Sequence, residues 1–293
     1  MFSLVSKLKK KRKENERKKI QKKISSNIKI ISKKLRSKKV INFSHSGHLG
    51  DIINSLPFIK EISKNKKCNL FINLNKKIST DKINNLHPSK GYFLTKSSYN
   101  KLLPLLKTQP YLNTVDIYKS QLIDINLDLF RNLPINFNID SVRWYLHITG
   151  VNPDLNKPYL LKIKKNQKFK NYVVFMRSLR RQNSEIKFNF LNKYKKLVFI
   201  GLHNEYLDLK KQIRNLEFYD CKNFLEMAEI INASKLFIGN LSFGYTIAEG
   251  LKKRRLVESY LDFPLIYPND SKGCEFYFQE HFIDQVKKNL KIN

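Results

Sequence analysis

The sequence predicts two consecutive α/β domains on parallel sheets, preceded by a basic segment. Three observations carry that expectation. Short apolar runs of strand type alternate with helical patterns in two blocks, residues 39–158 and 159–293, the order that a parallel sheet with covering helices requires. A Pro- and Asn-punctuated stretch, Val151-Asn152-Pro153-Asp154 with Asn156-Lys157-Pro158, separates them. Each block also contains a strand that passes through glycines into a helix start, and such sheets take ligands at the carboxyl ends of their strands.

Taken in order, residues 1–38 read as a basic helix or a disordered tail. Lys7, Lys9, Lys10, Lys11, Arg12, Lys13, Arg17, Lys18, Lys19, Lys22 and Lys23 are opposed only by Glu14 and Glu16. Ile20, Ile24, Ile28 and Ile31 recur at helical spacing as a narrow apolar stripe. In the first block the strand Lys39–Ser44 leads into a helix marked by Ile52, Ile53, Leu56, Phe58, Ile59 and Ile62. Asn69–Leu74 reads as a second strand, Tyr99–Leu106 as a helix weakened by Pro104, and Val115–Tyr118 as a short strand. Arg143–Ile148 is helical and ends at Gly150, a suitable C-cap. In the second block Tyr172–Met176, Leu197–Gly201 and Leu236–Gly239 are buried-type strands, with helices over Cys221–Asn232 and Tyr245–Leu251.

Composition narrows the function. With 293 residues and 41% apolar content the chain folds, so general disorder is excluded. A formal charge of +33 points to anionic partners such as nucleic acid, acidic lipid or phosphorylated substrates. The aromatic residues are not interleaved with the basic run as a base-stacking platform needs, so nucleic acid is not expected. A basic amphipathic helix suits an anionic membrane surface instead. Cys68, Cys221 and Cys274 have neither zinc nor disulfide spacing and read as reduced thiols of a cytoplasmic protein. No apolar run is long enough to span a bilayer, and Met1-Phe2-Ser3-Leu4-Val5 is too short for a signal-peptide core.

Two loops carry the chemistry. In the first, Ser46-Gly47-His48-Leu49-Gly50-Asp51, a strand passes through Gly47 and Gly50 to a helix start, where free N–H groups attract anions. Asp51 stands at its mouth. There is no Lys-Ser/Thr pair for a P-loop and no third glycine for a dinucleotide fingerprint. His45 and His48 flank Gly47 but lack a third ligand nearby, so no metal site is expected. The second loop, Gly239-Asn240-Leu241-Ser242-Phe243-Gly244, has the same strand–glycine–helix form.

Together these segments resemble the family 9 glycosyltransferases, the ADP-heptose:lipopolysaccharide heptosyltransferases. His48-Leu49-Gly50-Asp51-Ile52-Ile53-Asn54-Ser55-Leu56-Pro57 is similar to that family's Gly-Asp-apolar-apolar-x-x-x-Pro opening. Phe224-Leu225-Glu226-Met227-Ala228 followed by Gly239-Asn240-x-Ser242 is similar to its Leu-x-Glu-x-Ala helix and its Gly-Asn-Asp-Ser-Gly nucleotide loop. The resemblance runs from Lys39 to the C-terminus and leaves out the basic segment. It implies a GT-B fold, two Rossmann-like domains facing across a cleft. It also implies metal-independent, inverting transfer of a heptose-like sugar from a nucleotide-sugar donor, bound mainly by the C-terminal domain, to a lipopolysaccharide or other surface glycan, with no cofactor.

Under that resemblance Asp51 is the catalytic base, and Ser46, Gly47, His48 and Gly50 form the acceptor or anion loop. Arg177, Arg181, Asn240, Ser242, Phe243, Gly244 and Glu249 are the residues expected to hold the nucleotide sugar. Glu249, and after it Glu258, are placed to accept from ribose hydroxyls, and His203 to line the nucleotide cleft; His87, His147 and His281 carry no motif. The chain departs from the family pattern at Leu241, where the family has Asp, and at Phe243, where it has Gly. The departure fits a divergent subfamily with altered loop packing or a different donor. It equally fits the alternative of a catalytically inactive nucleotide- or glycan-binding protein with the same fold.

Overall fold

A computed structural model describes residues 2–78, 89, 91–132, 139–263 and 267–290. The basic segment is one helix, α1 (Phe2–Ser37). It turns at Lys38–Lys39 into β1 (Val40–His45), followed by α2 (Leu49–Ile62), β2 (Lys67–Ile72), α3 (Lys96–Lys107), β3 (Thr114–Ile117), β4 (Ile125–Asn126) and α4 (Trp144–Thr149). The second half contains β5 (Val173–Met176), β6 (Leu197–Ile200), α5 (His203–Lys210), β7 (Glu217–Tyr219), α6 (Phe224–Ala233), β8 (Leu236–Asn240), α7 (Phe243–Leu251), β9 (Arg255–Glu258), β10 (Gly273–Phe276) and α8 (Gln279–Leu290).

The strands form two parallel sheets, ordered β3-β2-β1-β4 and β10-β9-β8-β5-β6-β7. Read from its other edge, the six-stranded sheet has the Rossmann order, and the four-stranded sheet has the first part of it. In each the order reverses beside the central strand, between β1 and β4 and between β5 and β8. Loops leaving the two strands of such a pair diverge and open a crevice at their carboxyl ends.

Local chemistry explains the elements. β1 and β2 pair in register from Val40↔Lys67 to His45↔Ile72, with Ile41, Phe43, Leu70 and Ile72 wholly buried. α2 buries Ile52, Ile53, Leu56 and Ile59, and α3 is capped by the Thr95 side chain, which accepts from the Ser98 N–H. α3 continues through Pro104 because its buried face, Tyr99, Leu102, Leu105 and Leu106, is fixed by tertiary packing. α4 ends at Gly150 with φ 69°. The two sheet layers are joined by α2 packing on α7 and α3 on α6, and one continuous apolar core runs through both.

Of α1, only the second half is packed. Ile24 and Ile31 are buried and Ile28 and Leu35 partly so, while Ser6–Lys23 is exposed throughout. No helix among the described residues is long and apolar enough to cross a membrane.

Candidate functional site

The loops leaving β1 and β4 meet around Arg131. Its Nη2 donates to Asp51 Oδ2 at 2.9 Å and its Nη1 to Asp128 Oδ1 at 2.6 Å. The guanidinium lies over the Phe93 and Phe130 rings, each 4.3 Å from the ring centre. This approach requires glycine at position 47, where a Cβ would lie 2.4 Å from Arg131 Nη2 and 2.6 Å from His45 Cε1. Ser46 donates to Asp128 from its main chain (3.1 Å) and, through a very short contact, from its hydroxyl. Asp128 is the anchor of the loop. Burial works against its charge, but the surrounding His45 ring, Arg131 and the Ser46 hydrogen bonds hold its carboxyl below the ordinary value.

A second chain of hydrogen bonds fixes the Asp51 backbone. The Gly47 N–H donates to His45 Nδ1 (2.9 Å), so the ring proton resides on Nε2, which lies 2.8 Å from Tyr145 Oη. The Tyr145 hydroxyl in turn donates to the Asp51 carbonyl at 2.8 Å. Complete burial lowers the His45 pKa to about 4, so the ring is neutral near pH 7, as this tautomer demands. Asp51 itself keeps 19% of its side chain exposed. Burial pushes its carboxyl upward and Arg131 pulls it down only in part, so the net shift is upward, the direction that makes a carboxylate a stronger base.

The equivalent crevice in the second sheet lies between the loops after β5 and β8. Asn240 is wholly buried and fully occupied. Its Oδ1 accepts from the Ser178 N–H (2.9 Å), and its Nδ2 donates to the carbonyls of Ser178 (2.8 Å), Arg180 (2.9 Å) and Arg181 (3.3 Å). Asn240 therefore shapes the Ser178–Arg181 loop. Ser242 Oγ is 3.4 Å from the Met176 carbonyl, and a Cβ at Gly244 would be 2.6 Å from Met176 Sδ, so this glycine serves packing against β5. Phe243 stands edge-on to Phe224 of α6, 4.6 Å between centres; the ring that replaces the family's glycine fills space between two helices.

Several charges expected at the donor are committed inside the protein. Arg177 forms a two-pronged buried pair with Glu258 (2.6 and 2.7 Å) and covers Phe188. Glu249 receives Arg255 Nε at 2.5 Å and the Lys252 ammonium, all three nearly or fully buried. His203 packs on Tyr206 and Phe218 at the start of α5. His87 lies outside the described residues.

From the loop after β5, Arg180 and Arg181 act electrostatically on the first loop. Both raise the positive field at His48, where burial, Arg131 and these arginines lower the pKa to about 4. Arg181 also acts on Asp51. Its backbone has φ 61°, an uncommon left-handed value for a side-chain-bearing residue, and its guanidinium covers Phe263 at 4.2 Å. Burial, then the like charge of Arg180, depress the Arg181 pKa to about 10. Where α2 meets α7, a Cβ on Gly50 would be 3.4 Å from Thr246 Cγ2, so the two helix starts touch. After β6, next to Gly201, Glu205 of α5 is buried, with Oε2 lacking a partner, and burial raises its pKa to about 7.

Sequence reasoning passed over Arg131, Asp128, Tyr145, Arg180 and Glu205. The only available signal was the doublet Arg180-Arg181 after a buried strand. Arg131 follows a strand of two residues, too short to leave a pattern. Among the described residues no group of three or more His, Cys, Asp or Glu side chains is arranged to hold a metal ion.

No protein-family model matches the sequence, and no curated protein matches it. Solved structures do match the fold. A family 9 glycosyltransferase from Veillonella parvula aligns at 12% identity with TM-score 0.55, over 86% of this chain and 89% of that one. The E. coli ADP-heptose lipopolysaccharide heptosyltransferase II aligns at 10% identity with TM-score 0.53, over 87% and 99%. The dodecameric iron-containing heptosyltransferase TibC, solved with ADP-D-β-D-heptose, aligns at 14% identity with TM-score 0.52, over 80% of this chain and 62% of that one. These likenesses establish the GT-B architecture, with its two parallel-sheet α/β domains.

Proposed function

We propose that this chain is a glycosyltransferase that moves a heptose-like sugar from a nucleotide-sugar donor to a lipopolysaccharide or other surface-glycan acceptor. The observation that carries the reading is the meeting of two crevices. One supplies a positioned carboxylate, Asp51, and the other supplies Arg180 and Arg181 to the same space. Inversion and independence from a metal rest on the motif resemblance.

In this mechanism an acceptor hydroxyl gives its proton to Asp51 as its oxygen attacks the anomeric carbon. The bond from that carbon to the diphosphate oxygen breaks, and the diphosphate leaves with the bonding pair. Arg131 orients the Asp51 carboxylate and favours its charged form, and Arg180 and Arg181 receive the charge that develops on the leaving group. Asn240 acts indirectly by holding the loop that bears them. The basic half of α1 keeps the enzyme on an anionic membrane surface, the cytoplasmic inner face, where a lipid-linked acceptor is met.

A thermal-shift panel of nucleotide sugars tests the donor reading. The matching donor stabilises the protein by about 2.7 kcal/mol at a hundred times its Kd. Replacing Arg180 and Arg181 together by Ala removes the shift. If no nucleotide sugar stabilises the wild type, or if the double variant responds equally, the assignment fails.

A further inference from the structure

We propose that the cavity between α1 and β4 is the subsite for the acceptor's saccharide and that the packed half of α1 is one of its walls. The proposal rests on the transferase reading above and adds to it the site and recognition chemistry of the acceptor. The cavity has a volume of about 470 Å³, within the range of small-molecule sites. Asn27, Ile30 and Ile31 of α1 face Leu129, Arg131 and Asn132 across it.

The lining favours a sugar over a bare anion. Lys34, at one end, donates to the carbonyls of Ile123 (3.3 Å) and Asp124 (3.1 Å) and pairs with the Asp124 carboxylate at 3.5 Å. Arg131 is held by Asp51 and Asp128, and Lys76 lies 3.7 Å from Asp128. The cavity's positive charges are thus met by aspartates. What it offers is amide and guanidinium groups for hydroxyls, and isoleucine and leucine surface for the C–H faces of a sugar ring. Arg131 belongs both to this cavity and to the 2.9 Å contact with Asp51, so a saccharide seated here lies next to the base.

The path of α1 agrees. The helix ends at Ser37, enters β1 after a two-residue turn, and has Lys34 at the amino end of β4, while Asn27, two turns earlier, lines the cavity with Asn132, which lies beyond the carboxyl end. It therefore runs antiparallel to the strands. At 1.5 Å per residue the packed part from Ile24 to Ser37 spans about 21 Å, matching the roughly 20 Å of β1. The exposed basic half continues for about 30 Å past the strands' carboxyl ends, the end that bears Asp51. A surface gripped by that arm faces the cavity, and a lipid-linked glycan reaches it along the helix.

The test is saturation-transfer NMR on the full chain, with lipid-free core oligosaccharide of a bacterial lipopolysaccharide as the probe. Wild type transfers saturation to the sugar protons. Ile30→Trp fills the cavity from a helix position that is 53% exposed, so the fold survives, and weakens the signal at least tenfold. Leu8→Trp, on the exposed half of the same helix, leaves it unchanged. No transfer in the wild type, or equal transfer in Ile30→Trp, overturns the proposal. Nucleotide thermal shifts on the same samples separate the outcomes. Donor binding with no oligosaccharide binding sinks this subsite alone, whereas absent donor binding sinks the transferase reading.

Discussion

The two crevices come from the same topology and the same kind of loop, yet they spend their charges differently. At the first, Arg131 bridges Asp51 and Asp128, and the shared guanidinium leaves Asp51 at the solvent edge. At the second, Arg177 with Glu258, and Glu249 with Arg255, are neutralised within the core, while Arg180 and Arg181 act electrostatically on the first loop. A charged residue at a strand end is available to a ligand only if no buried partner has taken it. For Asp51 and for Arg177 that partner comes from a position about 80 residues away in sequence.

The contrast breaks most sharply at Asp51. Asp51→Asn keeps shape and hydrogen-bonding capacity but removes the proton acceptor, and is expected to lower transfer by about 10²–10⁴-fold. Donor-induced stabilisation should be unchanged; turnover near the wild-type rate would show that the first crevice holds no base.

Arg177 should behave in the opposite way. Arg177→Ala leaves the buried Glu258 without its cation, with only the Asn183 N–H beside it, and is expected to destabilise the fold by about 3–5 kcal/mol in urea unfolding. The midpoint of unfolding should fall, while the donor affinity of the remaining folded protein changes little. A pure loss of donor affinity, with stability retained, would make Arg177 a phosphate ligand and erase the distinction between the crevices.

The smallest effect concerns Glu205. Its pKa is raised from 4.5 to about 7 by burial, so the native state holds a proton that the unfolded chain has already released. Its contribution to stability is full below about pH 4.5 and is lost as pH rises through about 7. Glu205→Gln, neutral at every pH, should therefore exceed the wild type by about 1–3 kcal/mol at pH 8 and show no advantage at pH 4. Parallel unfolding curves of the two proteins across this range would remove Glu205 from the buried titrating groups.

Much of the architecture was legible in the sequence. The strands at Val173, Leu197 and Leu236 announced themselves as apolar runs bounded by turns, because both faces of a parallel sheet are buried there; those at Val40, Asn69 and Val115, more exposed, showed as shorter or mixed runs. β4 and β7, of two and three residues, are too short for periodicity to register, and α5 has too weak an apolar face. Arg131 was hidden for the same reason, since nothing local marks the end of β4.

The sequence by itself determined the alternation of strands and helices, the two glycine turns and the position of Asp51 at one of them. Those features depend on neighbours within a few residues, through side-chain periodicity and the conformations glycine allows. Tertiary structure decided which charges remain free. Asp51 and Arg131 are 80 residues apart, and Arg177 and Glu258 are 81 apart; only the folded sheets bring each pair within hydrogen-bond distance. It also decided that the packed half of the basic segment lies on α4, beside the cavity it shares with β4, so that half of it is wall and half is arm. Local propensity specifies a helix there, but its role depends on the surface against which those isoleucines are buried.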